Sequence, residues 1–220
     1  MVNCPNCGYE CDAYSKKKVL AIVALFIVAG LIFAFKYDNI SSMIEGFMHG
    51  VLVDSRGKQE YKTIKIGNQI WMAENLNFKV GYSACYANLD ENCEKYGRLY
   101  DWVTALTACP DGWHLPSYTE WQILINNVGG KDLAGKNLKN ETGWEEGGNG
   151  ANSKRFSALP GGLGYSNAIF YSAGSSGNWW SSTEQNTGNA YYLNMFYQTN
   201  DISESDGNKL SLFSVRCIKN

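Results

Sequence analysis

CPDGWHLPSYTEW, residues 109–121, combines a cysteine, two prolines, two tryptophans and a helix start in one short segment. Ser117 followed by Glu120 fits a capping box, in which the serine oxygen accepts a backbone N–H and the glutamate bonds back to the cap. The two prolines cannot lie inside regular structure, so they bracket a rigid connection. We therefore expect one helix to end near Cys109 and another to begin at Tyr118.

A helix is predicted on each side of this corner. Apolar residues recur at helical spacing within residues 100–108 and again within 118–128, where two glycines end the pattern. A β-hairpin with a Gly-Asn turn is predicted over residues 60–73. Residues 131–154 are rich in Gly and Asn and are expected to be mostly loop. Later strands are predicted over residues 179–184, 190–197 and 210–219.

The composition favours short strands and turns over a helical bundle. The 220 residues include 23 Gly, 14 Tyr and 7 Trp, while charged residues make up only 18%. The net charge of -2 leaves no basic excess to neutralise phosphates, so we expect no nucleic-acid partner.

Residues 19–35 carry no charged or polar side chain, which predicts a transmembrane helix. Three lysines precede this span and one follows it, so the positive-inside rule places the N-terminus in the cytoplasm and the C-terminal part outside. We expect an uncleaved signal anchor, because neither a cleavage site nor a lipobox cysteine follows. The expected organisation is a cytoplasmic segment at 1–18, the membrane span at 19–35, a juxtamembrane linker at 36–50 and a domain at 51–220.

The N-terminal segment contains Cys4-Pro-Asn-Cys7 followed by a glycine, a spacing typical of a zinc knuckle. Cys11 could supply a third thiolate, but no second knuckle follows before the predicted span. Two interpretations stay open. One is zinc held by these three thiolates with an outside ligand or in a dimer, and the other is reduced cytosolic thiols without metal.

Six motifs in a fixed order resemble one domain family. Together they resemble the Fibrobacter succinogenes major paralogous domain over residues 51–220, which is itself similar to a distant branch of the formylglycine-generating-enzyme/sulfatase-modifying superfamily. The resemblance implies an α+β, C-type-lectin-like fold with two helices and a small twisted antiparallel sheet. The motifs are YKTIKIGNQIWMAENL (61–76), CYANLDENCEKYGRLYDW (85–102), CPDGWHLPSYTEW (109–121), FSALPGG (156–162), WWSSTE (179–184) and FSVRC (213–217).

The resemblance also implies a disulfide pairing. Three of the seven cysteines precede the predicted span and four follow it, and four cysteines allow three pairings. In a C-type-lectin-like domain a helix cysteine bonds to the last strand, which pairs Cys109 with Cys217 and, across one loop, Cys85 with Cys93. Such bonds need an oxidising compartment, in agreement with the predicted orientation.

Catalysis is not expected, and no catalytic residue is assigned. Formylglycine-generating enzymes use a reactive cysteine pair late in the domain to bind copper, and the late part of this chain offers only Cys217. His114 is expected to form hydrogen bonds within or beside the core. Asp111 and Ser117 lie near it in sequence, but adjacency does not provide the geometry of a catalytic triad. A divergent oxidoreductase of this class is kept as the alternative.

Long Gly/Asn/Ser loops on a disulfide-linked scaffold favour a non-enzymatic binding module. Its ligand is expected to be a carbohydrate or an envelope protein, because aromatic rings can stack on sugars or pack on proteins. A purely structural envelope protein is a further alternative. Trp179 and Trp180 are expected to alternate, one in the core and the other outward or half-buried. The candidate ligand residues are Trp144, Tyr165, Tyr171, Trp179, Glu184 and Tyr192.

No cofactor is expected for the domain, and calcium is left open because of the fold class. The Glu-Pro-Asn and Trp-Asn-Asp patterns of sugar-binding C-type lectins are absent from the sequence. Trp180-Ser181-Ser182 stands where Trp-Asn-Asp would be, which counts against calcium-dependent sugar binding.

Overall fold

Residues 49–220 are described by the computed structural model of this chain. The predicted segment at 1–18, the predicted span at 19–35 and the linker up to residue 48 lie outside the described residues. Within residues 49–220, no helix has the length and apolar character needed to cross a membrane. The first strand starts at His49, so the folded unit begins slightly before the expected boundary at residue 51.

The described chain contains four α-helices, where the sequence predicted two. Their bounds are α1 Asp90–Tyr96, α2 Trp102–Ala108, α3 Tyr118–Asn127 and α4 Lys131–Leu138. The expected pair is α2 and α3, whereas α1 and α4 lie in segments predicted to be loop. The Gly and Asn content of residues 131–138 led to the prediction of a loop. The helix α4 that forms there buries Ala134, Gly135 and Leu138 on its inner side.

Thirteen short strands form two sheets within the same residues. The first sheet has the order β1-β2-β3-β13-β6, and the second has β11-β10-β9-β7-β12-β5-β4 with β8 paired to β7. The predicted hairpin is β2 and β3, and the sheets are larger than the small sheet expected. The strands are β1 His49–Asp54, β2 Gln59–Ile66, β3 Gln69–Met72, β4 Ser83–Ala84, β5 Leu99–Tyr100, β6 Trp113–His114, β7 Gly161–Tyr165, β8 Phe170–Ala173, β9 Ser176–Glu184, β10 Asn189–Phe196, β11 Ser203–Asn208, β12 Ser211–Ser214 and β13 Ile218–Lys219.

The corner at residues 109–121 is joined to the end of the chain in two ways. β6 pairs antiparallel with β13, with His114 opposite Ile218. A disulfide connects Cys109 at the end of α2 to Cys217 just before β13. This is the long-range disulfide that the family resemblance implied. It links the end of α2 covalently to the start of the last strand of the first sheet.

Both helices beside the corner begin with a side-chain cap. The Asp101 carboxylate accepts the N–H of Thr104 at the start of α2. At the start of α3, the Ser117 hydroxyl accepts the N–H of Glu120, and the Glu120 carboxylate accepts the N–H of Ser117 at 2.7 Å. The predicted capping box is therefore confirmed.

The two tryptophans of β9 are both fully buried, so the expectation that one would point outward or be half-buried is wrong. Trp179 packs in the hydrophobic cluster that contains Trp121. Trp180 packs in the second cluster, with its ring centroid 4.3 Å from that of Phe213. The two side chains do point to opposite faces of β9, but a hydrophobic cluster covers each face.

The last predicted strand, residues 210–219, is interrupted between β12 and β13. In the interruption, the carbonyls of Val215 and Cys217 accept N–H groups from Leu76 and Met72. The segment is therefore held by the end of β3 and by the chain that follows it.

Candidate functional site

A small concave site, here called the aromatic pocket, lies between residues 81–84 and the loop that joins β7 to β8. Its volume is about 210 Å³, which suits one ring-sized group of a larger ligand. Aromatic and polar side chains share its wall, the mixture by which most ligand pockets combine packing with orientation. Prominent lining residues are Tyr82, Ser83, Asn88, Tyr165, Phe170 and Leu212.

Two tyrosines that line the pocket, Tyr82 and Tyr165, and a third beside it, Tyr171, are exposed to solvent. Tyr82 is 50% exposed, Tyr165 is 44% exposed and Tyr171 is 51% exposed. The rings of Tyr165 and Tyr171 meet edge to face, with centroids 6.0 Å apart. Across the pocket, the Tyr82 hydroxyl donates to the carbonyl of Ser166 at 2.7 Å, which ties the two walls together. Of the predicted ligand residues, Tyr165 lines the pocket, whereas Tyr171 contacts Tyr165 but does not line the pocket itself.

The Ser83 hydroxyl is the polar group that most distinguishes this site. Its Oγ atom is buried and has no hydrogen-bond partner, and it is the one such side-chain atom found in residues 49–220. Buried polar groups are nearly always paired, so the unpaired Ser83 hydroxyl is an exception among the residues of the pocket wall. The sequence did not mark Ser83 or Tyr82, because residues around them follow no helical or strand period.

The Cys85–Cys93 disulfide supports the pocket from one side. The two Cα atoms are 4.9 Å apart, and the loop they close contains Tyr86 and Asn88. The Tyr86 ring packs on Phe170 with centroids 5.5 Å apart. Asn88 adopts a φ of 57°, a left-handed conformation that is uncommon outside glycine. This second disulfide agrees with the pairing implied by the resemblance, and it fixes the backbone on which Asn88 reaches the pocket.

Trp144 and Trp179, two other candidate ligand residues, lie in the core. Trp144 is 5% exposed, and its Nε1 donates to the carbonyl of Ala158 at 3.0 Å. Trp179 is fully buried and donates to Asn75 Oδ1 at 2.9 Å. Their indole N–H groups are therefore used inside the protein, and neither ring offers a face to an external ligand.

The two remaining candidates, Tyr192 and Glu184, do not line the aromatic pocket. The Tyr192 ring is half-buried and lies 4.5 Å, centroid to centroid, from Phe213. The Glu184 carboxylate forms an ion pair with Lys209, whose ammonium also lies over the Trp102 ring at 4.6 Å. Tyr192 thus packs against the hydrophobic cluster that contains Trp180, and Glu184 pairs with a lysine that covers Trp102 of the same cluster.

His114 belongs to a polar cluster at the corner. Its Nε2 lies 2.8 Å from Glu120 Oε1 and its Nδ1 lies 2.6 Å from Asn220 Oδ1. The Ser117 hydroxyl donates to Glu120 Oε2 and not to the imidazole, so it is not arranged as a nucleophile with a histidine base. Burial raises the pKa of the Glu120 carboxyl, but hydrogen bonds from Ser117 and His114 outweigh it and leave that pKa lowered. These hydrogen bonds join β6, the start of α3 and the C-terminal residue.

A second, larger concavity, the polar cleft, has a volume of about 650 Å³. The buried side chains of Tyr61, Asn75 and Tyr96 line its inner part. Asn75 is fully used in hydrogen bonds to neighbouring groups of the protein. The outer part carries both signs of charge, from Glu60, Lys62, Glu94, Lys95, Glu141 and Arg155. No buried unpaired polar atom comparable to Ser83 Oγ occurs there.

Metal ligands do not cluster in the described part of the chain. Among residues 49–220, no three or more His, Cys, Asp or Glu side chains are grouped so that they could hold a metal ion. The four cysteines of this part are all in disulfides. The predicted zinc ligands Cys4, Cys7 and Cys11 lie outside the described residues.

Comparison with known proteins identifies one similarity. A family model described as the Fibrobacter succinogenes major domain matches residues 64–219. No curated protein and no solved structure matches the chain. The matched range begins within β2 and ends with β13, so it includes the aromatic pocket, both disulfides and the polar cleft from Ala73 onward, but not Tyr61.

Proposed function

This chain belongs to the Fibrobacter succinogenes major domain family, and we propose that its domain is a non-enzymatic module that binds a carbohydrate in the aromatic pocket. The observation that carries the proposal is the buried, unpaired Ser83 hydroxyl beside the exposed rings of Tyr82 and Tyr165. A sugar ring presents apolar C–H groups that pack on aromatic faces, and hydroxyls that both donate and accept hydrogen bonds. The pocket offers a partner to each.

We further propose that the module is anchored by residues 19–35 and lies outside the cytoplasm. The two disulfides support this location, because disulfides persist in oxidising compartments. A C-type-lectin-like fold and a distant relation to formylglycine-generating enzymes remain part of the proposal, supported by the bond from the end of α2 to the last strand. The copper-dependent alternative requires free thiols, and the oxidised state of Cys85, Cys93, Cys109 and Cys217 counts against it.

Ser83→Ala tests the proposal, because a ligand-binding role and a structural role predict opposite effects on stability. Removing an unpaired buried hydroxyl should leave the free energy of unfolding unchanged or raise it slightly. The same change should lower carbohydrate affinity by roughly tenfold, since the ligand loses one hydrogen bond in a desolvated place. Denaturant unfolding and isothermal titration on the full chain in detergent micelles give the two quantities.

A glycan array with the wild-type chain, with and without calcium, supplies the ligand for these titrations. Tyr165→Ala should abolish or strongly weaken the signals, because it removes an exposed ring of the pocket. Tyr191→Ala is the matched control: Tyr191 is half-buried and packs on Tyr118 outside the pocket. Arrays that are blank in both conditions would overturn carbohydrate binding. Equal losses in the two tyrosine variants would contradict the assignment to this pocket.

A further inference from the structure

Among residues 49–220, β1 is an edge strand of the first sheet. It pairs with β2 along its full length, from His49 opposite Ile64 to Asp54 opposite Gln59. Within residues 49–220 no strand pairs with its other side. An edge strand presents a row of backbone N–H and C=O groups on its open side, which makes it a template for another strand.

The other sheet ends in the described chain are short or charged. β6 and β4 contain two residues each, β8 contains four, and β11 carries Glu204 and Asp206. These are the devices by which proteins prevent edge-to-edge pairing. β1 has neither, because its sequence HGVLVD contains no proline or lysine and its single carboxylate, on Asp54, is buried against Arg56.

Two valines make this edge apolar as well as open. Val51 is 61% exposed and Val53 is 56% exposed. Because side chains alternate along a strand, the two lie on the same face of the sheet. They form an exposed apolar pair beside the side of β1 that no strand within residues 49–220 pairs with.

We propose that β1 is a dimer interface and pairs antiparallel with β1 of a second copy of this chain. With the two-fold axis at Leu52, Val51 of one subunit faces Val53 of the other, and the same contact occurs twice. The two five-stranded sheets then form one continuous sheet across the axis. Such an interface is isologous, the arrangement found in most homodimers.

The position of β1 in the chain favours a second copy over an unrelated partner. β1 begins directly after residues 36–48, which connect it to the proposed membrane anchor at 19–35. Copies anchored in one membrane share a plane, and each carries β1 at the same distance in sequence from its anchor. Tethering of this kind raises the effective concentration of two matching edges. No like charges meet across the axis, because residues 50–53 are uncharged. The choice of a second copy as the partner rests on the proposed anchor, whereas the open edge of β1 is seen in the structure of residues 49–220.

The oligomeric state of the full chain in detergent micelles and in lipid discs tests the interface. Light scattering coupled to size exclusion should give a dimer for the wild type. Val51→Lys combined with Val53→Lys should raise the dimer dissociation constant at least tenfold without changing the circular dichroism spectrum, because both side chains are exposed. Val103→Lys is the matched control, since this valine is 64% exposed on α2 and away from the sheet edge.

Cysteine cross-linking tests the register independently of stability. A mixture of Val51→Cys and Val53→Cys chains should form an intermolecular disulfide more rapidly than either variant alone, because the proposed axis places residue 51 opposite residue 53. A monomeric wild type in both membrane mimics would overturn the proposal. So would a dimer that survives the paired lysine substitutions, or one whose cross-links do not depend on β1. Carbohydrate binding can fail without affecting either readout, because the aromatic pocket and β1 share no residue.

Discussion

Asn75 Oδ1 accepts hydrogen bonds from Arg216 Nη2 at 2.7 Å and Arg216 Nε at 3.1 Å, although 141 residues separate the two. Arg216 is fully buried, and no carboxylate in residues 49–220 forms an ion pair with it. Burial lowers the pKa of its guanidinium to about 9. Its other hydrogen-bond partners are the carbonyls of Phe156 and Ser157, and the guanidinium lies over the Phe156 ring at 4.3 Å, so neutral groups surround a buried charge.

Asn75→Ala should destabilise the domain strongly. The substitution leaves Arg216 without its amide acceptor and also removes the acceptor of Trp179 Nε1. A buried charged group that loses its partner costs about 3 kcal/mol or more, and a loss of this order is expected in denaturant unfolding. Asn77→Ala is the control, because the Asn77 side chain makes no hydrogen bond to any other group in residues 49–220 and should change stability by less than about 0.5 kcal/mol. Similar losses in both variants would contradict the role given to Asn75.

The two disulfides should contribute unequally to stability. Cys109–Cys217 closes a separation of 108 residues and Cys85–Cys93 closes one of 8. On the chain-entropy model, replacing both cysteines by alanine should cost about 4–5 kcal/mol for the first pair and about 2.5 kcal/mol for the second. Unfolding in denaturant compares the two double variants. A larger loss for the short loop would show that native contacts of the Tyr86 loop, not loop closure, dominate.

The parts of the fold that were predictable carry local signals. A Gly-Asn turn marks the β2–β3 hairpin, and Ser117 with Glu120 marks the start of α3. α1 and α4 lack such signals: α1 is short and polar, and α4 has a glycine inside it. Burial of Trp180 depends on which elements cover β9, and that information lies in distant parts of the chain.

The candidate site was predictable only through its aromatic residues. Tyr165 and Tyr171 were named because glycine-rich loops with exposed rings are common recognition surfaces. Ser83 could not be named, since its significance is a missing partner that only the three-dimensional arrangement reveals. The role of Arg216 was also not predicted, because an arginine in a predicted strand is normally expected at the surface.

Stability should fall above pH 10 because of Tyr100. Burial raises the pKa of its hydroxyl well above the ordinary 10.0, and this group donates to the carbonyl of Phe78 at 2.8 Å. The folded chain therefore holds a proton that the unfolded chain loses above pH 10, so the contribution of Tyr100 to the free energy of unfolding is constant below that pH and decreases above it. Tyr100→Phe should lower stability at pH 8 by about 1 kcal/mol but flatten the decrease above pH 10. Denaturant unfolding of both chains across this range measures the slopes, and parallel slopes would assign the pH dependence to other groups.

Gly135→Ala should destabilise the protein even though it improves helix propensity. In an isolated helix, alanine is favoured over glycine by about 1 kcal/mol. Gly135 lies on the inner side of α4, where an added Cβ would overlap the backbone carbonyls of Asn200 and Asp201. Overpacking of this kind costs about 1–3 kcal/mol, and here it must also displace the hydrogen bond from Lys136 N to Asn200 O. Gly188→Ala is the control, because its nearest neighbour would lie 3.8 Å from the new Cβ and a loop glycine replaced without strain gains about 0.4–1 kcal/mol. A gain in thermal stability for Gly135→Ala would show that α4 does not dock closely on residues 200–201.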